Sequence, residues 1–163
     1  MTLSPASTIY EIVLAFHIMA VVVAFGVTFA YPVMFAVAGK HDPRALATLH
    51  RIEYTVARTL INGGLVVVVA AGIFLASDGH HWSEFFVQWG LGAAIAIGGL
   101  VGGVLIPASK LAEELAARDI AAAGHGDVAM SGEYLAVVRR ITMVGTGLSL
   151  LVLLTILFMV VQP

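Results

Sequence analysis

The chain is 163 residues long, 60% of them apolar and only 11% charged, with a net charge of −2. A soluble domain carries about 25% charged residues, and a chain this apolar lacks the polar groups to cover a water-exposed surface. A soluble enzyme, a disordered tail and a nucleic-acid binder, which needs a basic balance, are therefore excluded. An integral membrane protein remains, in keeping with a mean hydropathy of +1.01. There is no cysteine, so disulfides, thiolate metal sites and iron–sulfur clusters are excluded too.

Four charge-free runs set the elements: residues 12–37, 59–77, 85–109 and 141–163. A helix crosses a hydrocarbon core of about 30 Å with roughly 20 apolar residues. None of the runs alternates as a membrane strand would. The expected fold is all-α, a four-transmembrane-helix bundle running up-down-up-down within one domain, residues 1–163. Its spans are expected at about 9–38, 56–77, 84–108 and 141–161.

The first run is expected to be a retained helix. Residues 1–8 hold no Lys or Arg, and the run exceeds the roughly 7–15 apolar residues of a signal peptide. Pro32 should kink it near its inner end, and Gly39 should cap it. Asp42-Pro43 then reads as an N-cap with proline at the first helical position, so helix two starts below the membrane. Ser77-Asp78-Gly79 stops it. Helix three should begin near Ser83 and continue past Pro107 through an alanine-rich stretch, with Leu111, Leu115 and Ile120 on a shared side. Gly124, Gly126 and Asp127 form the break, and helix four begins near Gly132. Helices two to four thus extend beyond the membrane. The two halves share a late proline (Pro32, Pro107) and a glycine pair (Gly63-Gly64, Gly145 with Gly147); duplication and chance both account for this.

Lys40, Arg44, Arg51 and Arg58 lie between spans one and two, and Lys110, Arg118, Arg139 and Arg140 between spans three and four. The positive-inside rule places both connections, and with them the helix extensions, in the cytoplasm. Both termini and the loop 78–84 are then extracytoplasmic, with Trp82 and Trp89 as aromatic anchors at that interface.

His17 is the only histidine inside a charge-free run. Ionisable groups at membrane depth default to a functional reading, here an axial haem ligand or a proton relay. A neutral histidine bonded to a neighbouring helix is the other reading. Tyr10, His17, Thr28 and Tyr31 fall on one face of helix one and should turn toward the bundle. His50 on the cytoplasmic side and His80 and His81 in the outer loop do not match the depth of His17 unless the loop folds inward. On helix two, Arg51, Tyr54, Arg58 and Asn62 form a second stripe. It reads either as an anion or propionate site or as arginines snorkelling to water. On helix three, Gly92 falls at about the depth of His17 and leaves room for a flat ligand. Gly98, Gly99, Gly102 and Gly103 form overlapping small-xxx-small motifs suited to close helix packing, a homo-oligomer contact or a partner membrane subunit. Asp78, His80, His81 and Glu84 read as a solvated loop rather than a metal site.

Several residues together resemble a known family. They are Phe16-His17, Gly72 late in helix two, Trp89 opening helix three, Pro107 followed by Lys110-Leu111, Tyr134 ahead of Arg139-Arg140, and the ending Phe158 to Pro163. The chain resembles a bacterial family of four-helix integral membrane proteins of unknown function. That family is similar to CopD-like membrane domains and more distantly to HemJ-type protoporphyrinogen oxidases. The resemblance implies the bacterial inner membrane and, through the HemJ-type proteins, a haem b held by a first-helix histidine, here His17. No counterpart of the other HemJ-type catalytic residues is found, so porphyrinogen oxidation is not implied. CopD-like copper uptake lacks its methionine- or histidine-rich path.

Three functions follow as expectations. The first is a haem-binding or redox membrane protein using His17, with Tyr31, Arg58, Asn62 and Gly92 as further cofactor-binding positions. The second is a small oligomeric transporter or ion pathway. The third is an accessory subunit of a membrane complex. No residue set defines an enzymatic reaction, and the lipid bilayer is the one partner that composition itself implies.

Overall fold

The computed structural model describes residues 5–162, with side chains from Thr8 onward. Residues 1–4 and Pro163, used above for the retained first helix and the chain's ending, lie outside the described residues. Four helices long and apolar enough to cross a membrane follow one another: α1 (Thr8–His41), α2 (Pro43–Asp78), α3 (Phe85–Ala123) and α4 (Gly132–Val161). Each packs on the next in the chain. The protein is a multi-pass membrane protein with an all-α, four-helix architecture, as the charge-free runs require.

The helix starts follow the sequence signals, but one stop does not. Gly39 is not the cap of α1, which continues to His41. Asp42 ends it, with φ −148° and ψ 78°. The reason is the proline that follows, whose ring pushes the preceding residue out of the helical region.

Three of the helices are interrupted. A 3-10 turn at Gly26–Phe29 precedes Pro32, and a π turn at Val101–Leu105 precedes Pro107. A proline has no N–H for the carbonyl one turn back, so the regular ladder breaks there in both cases. The π turn at Ala57–Ile61 in α2 has no proline. It lies where Thr55 and Thr59 each donate a hydroxyl hydrogen bond of 2.8 Å to the carbonyl four residues earlier, a pattern that bends helices.

These breaks separate two halves of different construction. In the basic half, residues 46–56 of α2 lie tightly against residues 106–123 of α3, with the end of α1 and the start of α4 alongside. The seam is an alanine ladder at four-residue spacing. Ala108, Ala112 and Ala116 are 8%, 0% and 0% exposed. Small side chains let the two backbones approach. Of the residues expected on a shared side, Leu115 packs beside the ladder while Leu111 is 45% exposed; close approach selects the smallest residues, not the most apolar.

The connections of this half are tied by charge. Arg44 donates to the carbonyls of Gly124 and Gly126, each at 2.8 Å. Arg118 donates to Glu133 at 2.8 Å and to the hydroxyl of Ser131 at 3.1 Å. Ser131 caps α4 by accepting the Tyr134 N–H, and its own N–H donates to Asp119 at 2.8 Å. That backbone N–H, helped by the Ser131 side chain and by Arg118, holds the Asp119 carboxyl below the usual carboxylate range.

Candidate functional site

In the other half, α1 pairs closely with α2 and α3 with α4, and the two pairs meet more sparsely, through a cluster that includes Phe25, Ile61, Ile97 and Val152. Gly64 sets the first pair: a Cβ there would lie 2.5 Å from the Cβ of Ala24, so glycine is needed for the approach. The second pair is tied by Trp89, whose indole N–H donates to the Thr155 hydroxyl at 3.1 Å. Phe158 packs edge-on against Trp89, with ring centroids 5.0 Å apart.

Between the pairs lies a cavity of about 410 Å³, walled by all four helices. Its lining is almost wholly aliphatic and aromatic, with His17, His81 and Thr155 among its few polar groups. Over this stretch α1 and α4 barely touch. The wall there includes Val22 and Val160, which are 64% and 77% exposed. The cavity therefore opens sideways between α1 and α4, toward the lipid.

His17 is the cavity's best-defined polar group. Its Nδ1 lies 3.0 Å from the carbonyl of Val68. A carbonyl only accepts, so Nδ1 carries the hydrogen and donates it. In the neutral ring Nε2 is then the free lone pair, and it has no protein hydrogen-bond partner among the described residues. Gly72 lies against the ring: a Cβ on it would stand 3.4 Å from His17, an ordinary contact distance. Gly72 entered the sequence reading only through the family resemblance; its position one turn after Val68 places it beside the His17 ring.

The loop between α2 and α3 folds inward. His80 takes a left-handed backbone, φ 56°, and the His81 N–H donates to the Ala76 carbonyl at 2.9 Å. The His81 ring then lies on Gly79 and near Phe86, at the cavity wall. A histidine that sequence position assigns to an outer loop thus shares the cavity with His17. Met159, seated on Gly90, is a third potential donor at the wall. Among the described residues no three His, Asp or Glu side chains converge on a metal-ion site.

The other expected site residues are placed apart from His17. Tyr31 lies in the basic half, edge-on to Phe35 at 6.4 Å. Arg58 is exposed and donates to the Tyr54 hydroxyl at 2.8 Å. Asn62 follows the π turn of α2 and does not line the cavity. Gly92 faces open space, with nothing within 4 Å of a Cβ. The polar stripe on α1 is divided by the 3-10 turn: Tyr10 and His17 line the cavity, while Thr28 bonds to its own Phe25 carbonyl at 2.6 Å. Of the helix-three glycines, a Cβ on Gly98 would stand 3.1 Å from Leu65, whereas one on Gly99, Gly102 or Gly103 would meet nothing within 4 Å.

Compared with protein-family models, curated proteins and solved structures, the chain matches none.

Proposed function

We propose that this protein is a membrane-embedded binder of a flat, lipophilic cofactor, with haem b as the group that suits the site and His17 as its axial ligand. The observation that carries this reading is the fixed tautomer of His17. Nδ1 is tied to the Val68 carbonyl, which leaves Nε2 as the ligating atom. A backbone partner on the second nitrogen is the usual way a metal-binding imidazole is oriented. The cavity supports it: about 410 Å³ lies within the range of about 300–1,000 Å³ for small-molecule sites. The sideways opening suits a ligand that arrives dissolved in the bilayer. When bound, haem supplies one-electron chemistry; the chain contributes the ligand, the apolar walls that exclude water, and polar groups such as His81 and Thr155.

The basic half lies in the bacterial cytoplasm on this reading, and both termini lie outside, by the positive-inside rule. The unpacked Gly99, Gly102 and Gly103 are the surface where a second copy or partner subunit would pack.

The test is an absorption spectrum of the protein purified in mild detergent from cells supplied with a haem precursor. A Soret band is expected in the wild type, and its loss or a marked shift in His17→Ala. A spectrum without that band, or one unchanged by the substitution, rejects the haem reading. Orientation is tested by a cysteine at position 2: labelling by an impermeant reagent in intact cells is expected, and labelling only after lysis would reverse the topology.

A further inference from the structure

The most deeply buried polar side chains are not at the cavity. They are His50 and Ser109, each 1% exposed, in the basic half. His50 is held from both sides. Its Nδ1 lies 3.1 Å from Glu53 Oε2, and its Nε2 lies 3.1 Å from the Tyr134 hydroxyl. Phe35 covers one face of the ring, with centroids 4.5 Å apart and planes tilted 34°. Glu53 is itself 9% exposed. A buried carboxylate costs several kcal/mol to hold unless a positive charge or a proton accompanies it.

No arginine hydrogen-bonds to this group among the described residues. Arg44 bonds to Gly124 and Gly126, Arg51 to Glu113, Arg58 to Tyr54, and Arg118 to Asp119, Glu133 and Ser131. Lys40, Lys110, Arg139 and Arg140 are exposed. From the end of α1, Tyr31 lies within electrostatic reach of Glu53, and from α3 Asp119 lies within reach of Tyr134. Ser109 is buried on α3 one turn from Glu113, the partner of Arg51 across the α2–α3 seam. The hydroxyls of Tyr31 and Ser109 are both buried without a hydrogen-bond partner.

We propose that His50, Glu53 and Tyr134 form a proton-binding site, which takes up one proton on the imidazole and reverses the Tyr134 hydrogen bond as it does so. Without that proton, Nδ1–H donates to the Glu53 carboxylate and Nε2 accepts from the Tyr134 hydroxyl. The group then carries one negative charge. An incoming proton bonds to Nε2. The imidazolium now donates to Glu53 from Nδ1 and to the Tyr134 oxygen from Nε2, and the charge is cancelled. The Tyr134 hydroxyl must then point its own hydrogen elsewhere. The unpartnered oxygen of Tyr31, which lies within electrostatic reach of Glu53, is the candidate to receive it, directly or through a water. The Phe35 face favours the charged ring. This proposal does not depend on what the cavity holds.

The test is nitrogen NMR of histidine-labelled, full-length protein in lipid nanodiscs, titrated from about pH 9 to 5, the range over which histidine charge ordinarily changes. The His50 Nε2 signal is expected to move from the unprotonated to the protonated type, with the Tyr134 ring carbon next to its oxygen moving at the same midpoint. In Glu53→Gln the midpoint should fall by about one pH unit or more, a tenfold loss of proton affinity. A His50 that keeps one neutral tautomer throughout overturns the proposal, and that wild-type measurement holds even if the variant does not fold. A Glu53→Gln midpoint equal to the wild type's overturns it as well.

Discussion

The two halves of this bundle solve opposite problems with the same four helices. In the basic half an alanine ladder, Ala108, Ala112 and Ala116, draws α2 and α3 together and seals His50, Glu53 and Tyr134 inside. In the cavity half, Gly64 and Ala24 draw α1 onto α2, while Trp89 and Thr155 tie α3 to α4. Each pair there closes on itself, so a space is left between the pairs. Small residues close a bundle when they face across it and open it when they tie its helices two by two.

The largest expected effect concerns the buried His50 and the half-buried His17. His50→Ala removes the middle of a sealed polar chain and leaves Glu53 buried without its partner. A loss of about 3–5 kcal/mol is expected, as for breaking a buried ion pair. His17→Ala removes one hydrogen bond beside a cavity and should cost about 1 kcal/mol. Thermal unfolding in detergent compares them directly; equal losses would mean that the two halves are equally tight.

Next come two alanines enlarged in the same way. Ala112→Leu has no space to enter and should cost about 1–3 kcal/mol by overpacking. Ala94→Leu points a larger group into the cavity wall and should be neutral or stabilising by about 1 kcal/mol. If Ala94→Leu unfolds the protein as readily as Ala112→Leu, the cavity is not an open space.

Neighbouring glycines sharpen the account of how α1 meets α2. Gly64→Ala should force the helices apart at Ala24, at a cost of about 1–3 kcal/mol. Gly63→Ala meets nothing and should gain about 0.5–1 kcal/mol of helix propensity. The pair of melting temperatures should therefore move in opposite directions.

The smallest effect is a pH dependence confined to the basic half. Asp119, beyond the apolar stretch of α3, has its folded-state value lowered, first by the Ser131 N–H. Its stabilising contribution is complete above the unfolded value of about 4 and is lost as pH falls through the lowered one. Asp119→Asn should remove that acid-side slope from an unfolding series, leaving the profile near neutrality little changed in shape.

Much of this protein is legible in its sequence, for a physical reason. Charge-free runs of helical length permit one outcome in a bilayer, so the four helices and their starts at Pro43 and Gly132 follow directly. Pro32 announces the break one turn before it, whereas the break before Pro107 falls in a helix whose pattern reads as continuous. The cap at Asp42 instead of Gly39 was legible too, through the pre-proline rule. His17 stands out because an imidazole in an apolar run is rare.

The tertiary structure alone decided what faces what. Asn62 and Gly92 share a depth or a stripe with useful neighbours, yet helix rotation turns Gly92 to open space and keeps Asn62 off the cavity wall. His81 belongs to a loop in the sequence and to the cavity wall in space, because a left-handed turn at His80 folds it in. His50 and Glu53 sit three residues apart on a helix and look like solvated charge; only the arrival of Tyr134 from 84 positions away seals them. Composition fixes how many helices cross a membrane, since each pays its own transfer free energy. Which side chains become a site depends on rotation and pairing between helices, and that is set by contacts no single helix contains.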